Sequence, residues 1–534
     1  MIFSKNASSP FFKPDGKFWD LIFCLAFAFL ACSLFHTIRV PWVEEDNYYG
    51  AIYAQAAHNN LRAGLRVTGG VPVTLYFGPL PIPQEEYYVH HPTLLPLMVT
   101  TSVALFGETE WAVKLVPVGC SLLSLILLWL LVRETIGKRA AALTAAFFAT
   151  MPMELHYGDM VDFEPCLVMW MLATLYCLRQ WKVQIKPRWA FLAGLCCFCA
   201  LWTDWPGYLF AAAISVSFLL DKKISHRLFA VALAGIAGIS GLLFLLQIRN
   251  ANPDAWSDLW TAVSMRLGNG MTTGSSTVAN GAVSHFTMTE WCRSIFHAFG
   301  EDYLVSSWIF VLVGMVYAAN RMKSSPGFRW IGWAALQMAL AGIPYMLLLR
   351  NWSYIHDFAS FFVIGSIAIL GGLGIEGILQ RMHRRWGDKI SQTALVLMVL
   401  LLLCWLGMAG FIRAEKQRSQ FCILNGITPE PVHLVPELGR TLCRSFSPDT
   451  TILNNFDPYG STLPYYAQRT VINNISGANE WKSTVSELKV PAGGIIWTGA
   501  SSGAEIVAAL PKEEISRITV EGIDFALWKP GTAR

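Results

Sequence analysis

Long apolar runs without charged residues recur along the chain, and they limit its fold more than any other feature. Several approach the roughly 20 residues that an α-helix needs to cross a bilayer. The chain is 54% hydrophobic and only 14% charged, with a mean hydropathy of +0.43 and 21 tryptophans. Soluble globular proteins are less apolar than this. We therefore predict a polytopic α-helical membrane protein, surrounded by membrane lipids. The small net charge of +4 gives no support for a nucleic-acid partner.

The placement of Lys and Arg predicts the orientation of the spans, because cytoplasmic loops carry an excess of these residues. The first span, roughly residues 19–37, follows three lysines, so its N-terminus is predicted to be cytoplasmic. The apolar run at residues 91–106 is shorter than a crossing helix. We expect it to enter from the outer face without crossing. All later basic clusters then become cytoplasmic together, which predicts about eleven crossings and an outer C-terminus.

The composition changes near residue 413, which divides the chain into two predicted domains. Residues 1–412 hold the spans, with outer loops at 39–110 and 250–302. Residues 413–534 contain short apolar runs separated by Pro, Gly and Asn turns, a pattern typical of a small soluble α/β domain outside the membrane. The runs with strand character are 450–453, 470–475, 494–497 and 524–528, and 502–510 has helical character.

Two acidic groups lie on the predicted outer face, at residues 44–46 after the first span and at 159–164 between two later spans. A carboxylate that is partly desolvated at the mouth of a bilayer suits a general base. Glu45 and Asp46 are the candidates, and a solvated acidic turn is the alternative. Glu164 would also lie at the positive end of a helix dipole. Capping of that helix explains one carboxylate of the second group, but not three.

Histidines and one arginine complete the candidate site. His90 and His91 precede the non-crossing run, where capping of a helix that begins with proline is the alternative explanation. With the acidic groups they also resemble a metal site, but no tight ligand spacing is present, so we predict no required cofactor and leave a divalent metal as the alternative. Arg350 shares a short outer turn with His356. Its planar fork suits a lipid phosphate, and anchoring at headgroups is the alternative.

The order of these motifs resembles the GT-C-fold glycosyltransferases that use polyprenyl-phosphate sugars. The similar branch contains lipid A aminoarabinose transferases and protein O-mannosyltransferase-like enzymes. Residues 45–49 (Glu-Asp-Asn-Tyr-Tyr) are similar to the family's Asp-Glu-x-x-Tyr, with the two acids exchanged. Residues 91–94 (His-Pro-Thr-Leu) are similar to its His-Pro-Pro-Leu. Residues 157–164 and 202–207 are similar to two further motifs, but an acid replaces the family's cation in each.

The resemblance implies an inverting transfer of a sugar from polyprenyl phosphate to a glycolipid, a cell-envelope polysaccharide or a protein. It places the reaction on the outer face of the bacterial inner membrane. Glu45 or Asp46 would be the base, and Arg350 and His356 would stabilise the phosphate. The remaining predicted substrate contacts are Tyr49, His90, His91, Asp159 and Glu164.

A transporter or flippase of lipid-linked or small substrates is the alternative function. That class requires ionisable groups near the middle of the bilayer and broken helices in paired halves. Asp204, beside Trp205 and Pro206, is the nearest candidate for such a group. Inverted repeats are not evident in the sequence, so the enzyme is the favoured prediction.

Overall fold

The structure is a computed structural model that describes residues 16–42, 47–267, 286–386, 392–420, 433–456 and 461–530. Within these ranges the first 420 residues are helical and the C-terminal part carries a five-stranded sheet. The predicted class, a helical membrane protein with a small C-terminal α/β domain, is confirmed.

Helices account for nearly all regular structure before residue 420. The α-helices are α1 (Gly16–His36), α2 (Asn47–Ala63), α3 (Leu65–Thr68), α4 (Leu94–Phe106), α5 (Glu110–Thr135), α6 (Lys138–Ala149), α7 (Pro152–Tyr157), α8 (Phe163–Gln184), α9 (Pro187–Leu201), α10 (Pro206–Leu219), α11 (Ile224–Ala251), α12 (Ala255–Arg266), α13 (Met288–Asp302), α14 (Trp308–Met322), α15 (Pro326–Leu348), α16 (Arg350–Ile355), α17 (Ile364–Trp386) and α18 (Gln392–Gln420). Short 3-10 helices lie at Gln84–Glu86, Val305–Ser307 and Asp357–Val363.

Seven helical stretches among the described residues are long and apolar enough to cross a membrane, so the chain is an integral membrane protein. They are Gly16–His36, Glu110–Thr135, Ile224–Ala251, Val305–Met322, Pro326–Leu348, Asp357–Trp386 and Leu397–Arg418. The helices α4, α9 and α10 are apolar but shorter, and the count of about eleven crossings stays a prediction. At 13 residues, α4 is about 20 Å long, less than the roughly 30 Å hydrocarbon core, as a non-crossing helix requires.

The bundle is held together by close helix packing around α17. A Cβ atom on Gly314 of α14 would overlap the carbonyl oxygen of Leu370, and one on Gly374 of α17 would overlap that of Phe310. The two backbones therefore touch, as is common where small residues line membrane helix interfaces. This packing fixes α17 and the 3-10 helix Asp357–Val363 before it, which leads into the candidate site.

The C-terminal domain is a mixed sheet covered by helices. Its elements are α19 (Leu434–Ser445), β1 (Thr451–Asn454), α20 (Thr462–Ala467), β2 (Val471–Ile472), α21 (Ala478–Glu487), β3 (Ala492–Trp497), α22 (Ser501–Ala509), a 3-10 helix at Lys512–Glu514, β4 (Ile515–Val520) and β5 (Ile523–Trp528). The strand order is β2-β1-β3-β5-β4, with β1 parallel to β2 and β3, and β5 antiparallel to β3 and β4. Each predicted strand and the predicted helix overlaps one of these elements.

Two details of the C-terminal domain differ from the sequence predictions. The strand β4 was not predicted, because its few apolar residues are interrupted by polar and charged ones and form no buried apolar run. Helix α18 continues to Gln420, past the predicted end of the membrane domain at residue 412. A helix that leaves the bilayer keeps its hydrogen bonds, so the change in composition precedes the end of the helix. We therefore propose that the domain boundary lies beyond Gln420 and not at 413.

Candidate active site

One cavity of about 370 Å³ collects most of the predicted site residues. It lies between α2, the segment before α4, the starts of α8 and α10, the end of α12, and α15 and α16. Tyr49, His90, His91, Glu164 and His356 line it. These residues are far apart in the sequence, and the fold brings them to one place.

His91 is held in a fixed orientation by a carboxylate and two aromatic rings. Its Nδ1 lies 2.8 Å from Asp204 Oδ1. The imidazole stacks on Phe163 with ring centroids 4.5 Å apart, and Tyr88 lies parallel to it at 6.0 Å. Burial lowers the pKa of His91, although the hydrogen bond to Asp204 opposes this. In the neutral ring, Nδ1–H donates to Asp204, so Nε2 carries the free lone pair and can accept a hydrogen bond.

The backbone around His91 is tied to the loop that carries Asp204. The Leu94 amide donates to the Trp202 carbonyl at 3.0 Å, and the Trp205 indole donates to the His90 carbonyl at 3.0 Å. Pro206 begins α10 directly after this loop, which suits its fixed φ and missing N–H. The segment of residues 90–94 and the loop of residues 202–206 are therefore hydrogen-bonded to each other, and this brings His91 next to Asp204.

Carboxylates form one wall of the cavity. Asp162 is the N-cap of α8 and accepts a hydrogen bond from the Phe163 amide at 2.9 Å. Burial raises the pKa of Asp162 to about 8, and Asp204 adds to the effect. Glu164 is 2% exposed, and its Oε2 makes no hydrogen bond to any residue that the structure describes. A buried carboxylate oxygen that faces a cavity without a partner is ready to bind a polar ligand group.

The cavity also contains a cation that was not predicted, Arg266. It lies in the last turn of α12, where a basic residue complements the helix dipole, and it hydrogen-bonds the Tyr88 hydroxyl. The sequence predicts an outer loop at residues 250–302, which contains this arginine. The available signal was an arginine in a predicted outer loop, where basic residues are rare; the same loop also contains Arg293.

His356 lines the cavity but is not the cation that was predicted. Burial lowers its pKa to about 4, and the charge of Arg266 adds to this effect. The ring is therefore neutral near pH 7. Its Nδ1 lies 3.4 Å from the Tyr49 hydroxyl, so it is placed to exchange a hydrogen bond with that side chain.

Arg350 does not line the cavity, and its side chain is exposed. It begins α16, and Asn351 and Trp352 of the same helix reach the cavity in its place. The structure therefore places Arg266 at the cavity, and not Arg350, which was predicted to contact the phosphate. The predicted turn folds as the short helix α16, in which successive side chains are rotated by about 100° around the axis, so Asn351 and Trp352 can line the cavity while Arg350 does not.

Asp159 is also absent from the cavity wall. It accepts a hydrogen bond from Thr37 at 2.7 Å and lies 3.4 Å from Lys114 Nζ and 3.7 Å from Arg418 Nη2. Burial alone would raise the pKa of Asp159, but the two cations hold it below its ordinary value. Asp159 thus belongs to an ion cluster that joins three parts of the bundle, namely α5, α18 and the loop before α8. It was predicted to contact the substrate, but the structure does not place it at the cavity.

Replacing Asp159 by Asn is expected to destabilise the protein by about 3–5 kcal/mol, because two buried cations lose their shared counter-ion. Asp20→Asn is the matched control, since Asp20 pairs with Lys138 at 2.7 Å and both side chains are about 40% exposed; it should cost at most about 1 kcal/mol. Thermal unfolding in detergent compares the two. Equal shifts in the two variants would contradict the cluster's structural role.

The predicted base lies outside the described residues, since Glu45 and Asp46 belong to the 43–46 segment. The next residues of the motif, Tyr48 and Tyr49, line the cavity. Across the described ranges, no three His, Cys, Asp or Glu side chains are grouped as metal ligands.

Sequence comparisons match about a third of the chain. Residues 90–248 match the family model of dolichyl-phosphate-mannose-protein mannosyltransferases. Over 166 residues the chain is 30% identical to undecaprenyl phosphate-alpha-4-amino-4-deoxy-L-arabinose arabinosyl transferase 2 of Proteus mirabilis (strain HI4320). That alignment covers 29% of this chain and 30% of the length of the relative. The family match includes His90 and His91.

Structural comparisons extend over nearly the whole chain. The structure is similar to ArnT from Cupriavidus metallidurans bound to undecaprenyl phosphate, with a TM-score of 0.61, 13% identity, and coverage of 97% of this chain and 98% of ArnT. It is also similar to the oligosaccharyltransferase of Archaeoglobus fulgidus in the apo form, with a TM-score of 0.56, 14% identity, and coverage of 98% and 76%. The resemblance predicted from the motifs is therefore confirmed, and the chain is a membrane protein with the GT-C fold of these glycosyltransferases.

Proposed function

We propose that this protein is a glycosyltransferase that moves a sugar from a polyprenyl-phosphate donor to an acceptor on the outer face of the membrane. The observation that carries the proposal is the composition of the cavity, in which the half-buried Arg266 lies among several carboxylates and aromatic rings. An arginine fork suits a phosphate. Carboxylates and rings are the side chains that hold sugar hydroxyls and sugar faces. A polyprenyl-phosphate sugar combines both parts in one molecule.

The proposed chemistry is a single displacement at the anomeric carbon. The acceptor hydroxyl or amine attacks, the bond between that carbon and the phosphate oxygen breaks, and the polyprenyl phosphate leaves with the negative charge. Arg266 would stabilise that charge, with the Tyr88 hydroxyl beside it. Glu45 or Asp46 would take the proton of the acceptor. Asp162 and Glu164 would bind sugar hydroxyls, and the neutral His91 would accept a further hydrogen bond.

The charge of the cavity favours an amino sugar. Among the described residues, one arginine and six carboxyl side chains line it, the latter being Glu85, Glu86, Asp162, Glu164, Asp204 and Asp258. Packing so many acids together is costly unless some are protonated or a cation binds. The ammonium group of an amino sugar would supply that cation. The relative from Proteus mirabilis is named for the transfer of 4-amino-4-deoxy-L-arabinose, which is a sugar of this kind.

A transfer assay with purified protein in lipid nanodiscs tests the function. Polyprenyl-phosphate donors with an amino pentose or a neutral hexose are supplied with glycolipid, polysaccharide or peptide acceptors. We expect transfer, with the amino sugar preferred. Failure with every pair, together with counterflow of labelled lipid-linked sugar in vesicles, would favour the transporter instead. Mass analysis of glycolipids and glycoproteins from cells that lack the protein would identify the acceptor.

The proposed location is the bacterial inner membrane, with the N-terminus in the cytoplasm and the active site and C-terminal domain outside. The distribution of basic residues predicts this orientation, and reporter fusions at chosen positions test it. We expect cytoplasmic signals after Lys138, Lys186, Lys222, Lys323 and Arg385, and external signals after Gly70, Ser275 and Arg534. An external signal at Lys138 would mean that α4 crosses, and the shared outer face of the acidic groups would then be wrong.

A further inference from the structure

We propose that the C-terminal domain positions helix α2, and with it the Tyr48 and Tyr49 wall of the cavity, through Ser461 and the short helix α20. This inference deepens the proposed function and rests on it for its activity readout. The contacts that carry it lie on both sides of the predicted base and all come from the same seven-residue part of the C-terminal domain, residues 461–467.

The first contact is made by the Tyr466 hydroxyl. It accepts a hydrogen bond from the Trp42 amide at 3.0 Å and donates one to Glu110 Oε1 at 2.7 Å. Trp42 lies between α1 and α2, and Glu110 begins α5. One hydroxyl of the C-terminal domain therefore links the chain that enters α2 to a helix of the membrane bundle.

The second contact is made by Ser461 on the other side of the acidic segment. Its Oγ donates to the Tyr48 carbonyl at 3.0 Å, and its own carbonyl accepts from Gln55 Nε2 at 2.7 Å. Ser461 and Gln55 are both 0% exposed. Two positions of α2 that lie about two turns apart are thus bound to one residue of the C-terminal domain, in a place where unmade hydrogen bonds are costly.

Apolar packing continues this link to the chemistry of the cavity. The Tyr465 ring packs edge-on against Trp42, which is fully buried, with ring centroids 6.1 Å apart. Both residues belong to one buried hydrophobic cluster with Tyr53 and Phe163. Tyr53 contacts Phe163 at 5.6 Å, and Phe163 stacks on His91. The C-terminal domain is therefore packed, through few intermediates, against the histidine that lines the site.

Trp42 and Tyr48 flank residues 43–46, which carry the predicted base. Because both flanks are hydrogen-bonded to the same domain, the domain restricts where the intervening chain can begin and end. In the proposed function, Arg266 and Tyr88 hold the donor phosphate, and both residues come from other elements. Loss of the Ser461 and Tyr466 contacts is thus expected to lower turnover and to leave donor binding almost unchanged. A domain that serves only for stability would not separate these two quantities.

The test uses Tyr466→Phe, Ser461→Ala and their combination in the full-length protein. Gln55→Met removes the same link from the α2 side, in case a change in the C-terminal domain impairs folding. The matched controls are Tyr176→Phe and Ser476→Ala, which each remove a hydroxyl hydrogen bond at an exposed position away from the cavity. Turnover, donor KM, melting temperature and hydrogen exchange of residues 47–56 are measured for each.

We expect each single variant to lower kcat about 3- to 10-fold, in line with the loss of one hydrogen bond, while donor KM changes less than about twofold. Amide exchange in residues 47–56 should rise in the variants and not in the controls. Unchanged exchange in the double variant, or equal loss of kcat in the controls, would overturn the inference. If the wild-type protein transfers no sugar from any donor, the proposed function fails, and the exchange data still decide whether the C-terminal domain positions α2.

Discussion

One of the two replacements, Glu45→Gln or Asp46→Asn, is expected to reduce sugar transfer by about a hundredfold or more. This is the usual contribution of a general base. The acceptor hydroxyl is a weak nucleophile, and without a base its proton stays in place as the bond to the anomeric carbon forms. Gln and Asn keep the size of each side chain, so insertion into the membrane and donor binding should be retained. Single-turnover rates with saturating donor measure the effect on the chemical step.

The variant with the larger loss identifies the base, and the other carboxylate then has an orienting or minor role. Glu44→Gln is the matched control, because it removes a charge from the same acidic group, and it should keep nearly full activity. If all three variants lose activity to the same extent, the charge of the group acts as a whole. Full activity of the double variant at Glu45 and Asp46 would exclude both as the base.

Arg266→Ala is expected to lower kcat/KM for the donor by about 10- to 150-fold, because a charge-assisted hydrogen bond contributes about 1.5–3 kcal/mol. The arginine lies in the cavity beside Tyr88, where water screens the interaction poorly. Arg266→Lys should restore only part of the rate, since an ammonium group lacks the two-pronged contact to phosphate oxygens. Transfer rates at a series of donor concentrations give both parameters.

Arg350→Ala provides the control for charge and for the membrane interface. Arg350 is exposed and does not line the cavity, so its replacement should leave donor kinetics within about twofold of wild type. Binding of polyprenyl phosphate without a sugar should weaken in the Arg266 variants and not in Arg350→Ala. The reverse pattern would return the phosphate site to Arg350 and would remove the charge argument for the proposed cavity chemistry.

Much of the fold follows from local patterns in the sequence. Apolar runs of sufficient length predict membrane helices, and the short run that became α4 predicts a helix too short to cross. The turn residues and alternating runs of the tail predict the strands β1, β3 and β5, whose cores are apolar. The exposed strand β4 lacks that signal. Its pairing with β5 is a tertiary interaction that supplies what the local pattern does not.

The candidate site divides in the same way. His91 and Glu164 are recognisable because each lies in a motif next to a membrane helix, where a polar residue is costly without a role. Asp159 and Glu164 are indistinguishable by that criterion, since both are acids in one turn. Only the fold places Lys114 and Arg418 beside Asp159 and leaves Glu164 Oε2 facing the cavity without a partner among the described residues.

By itself, the sequence determined the helical membrane class, the small α/β domain and the motifs of a GT-C fold, because hydropathy and turn chemistry act over a few neighbouring residues. Tertiary structure alone decided which charges meet. It joined His91 to Asp204 across 113 positions and brought Arg266 to Tyr88. It also attached Tyr466 of the C-terminal domain to Trp42 across 424 positions. Such pairs depend on helix packing and on low-dielectric burial, which no local window of sequence contains.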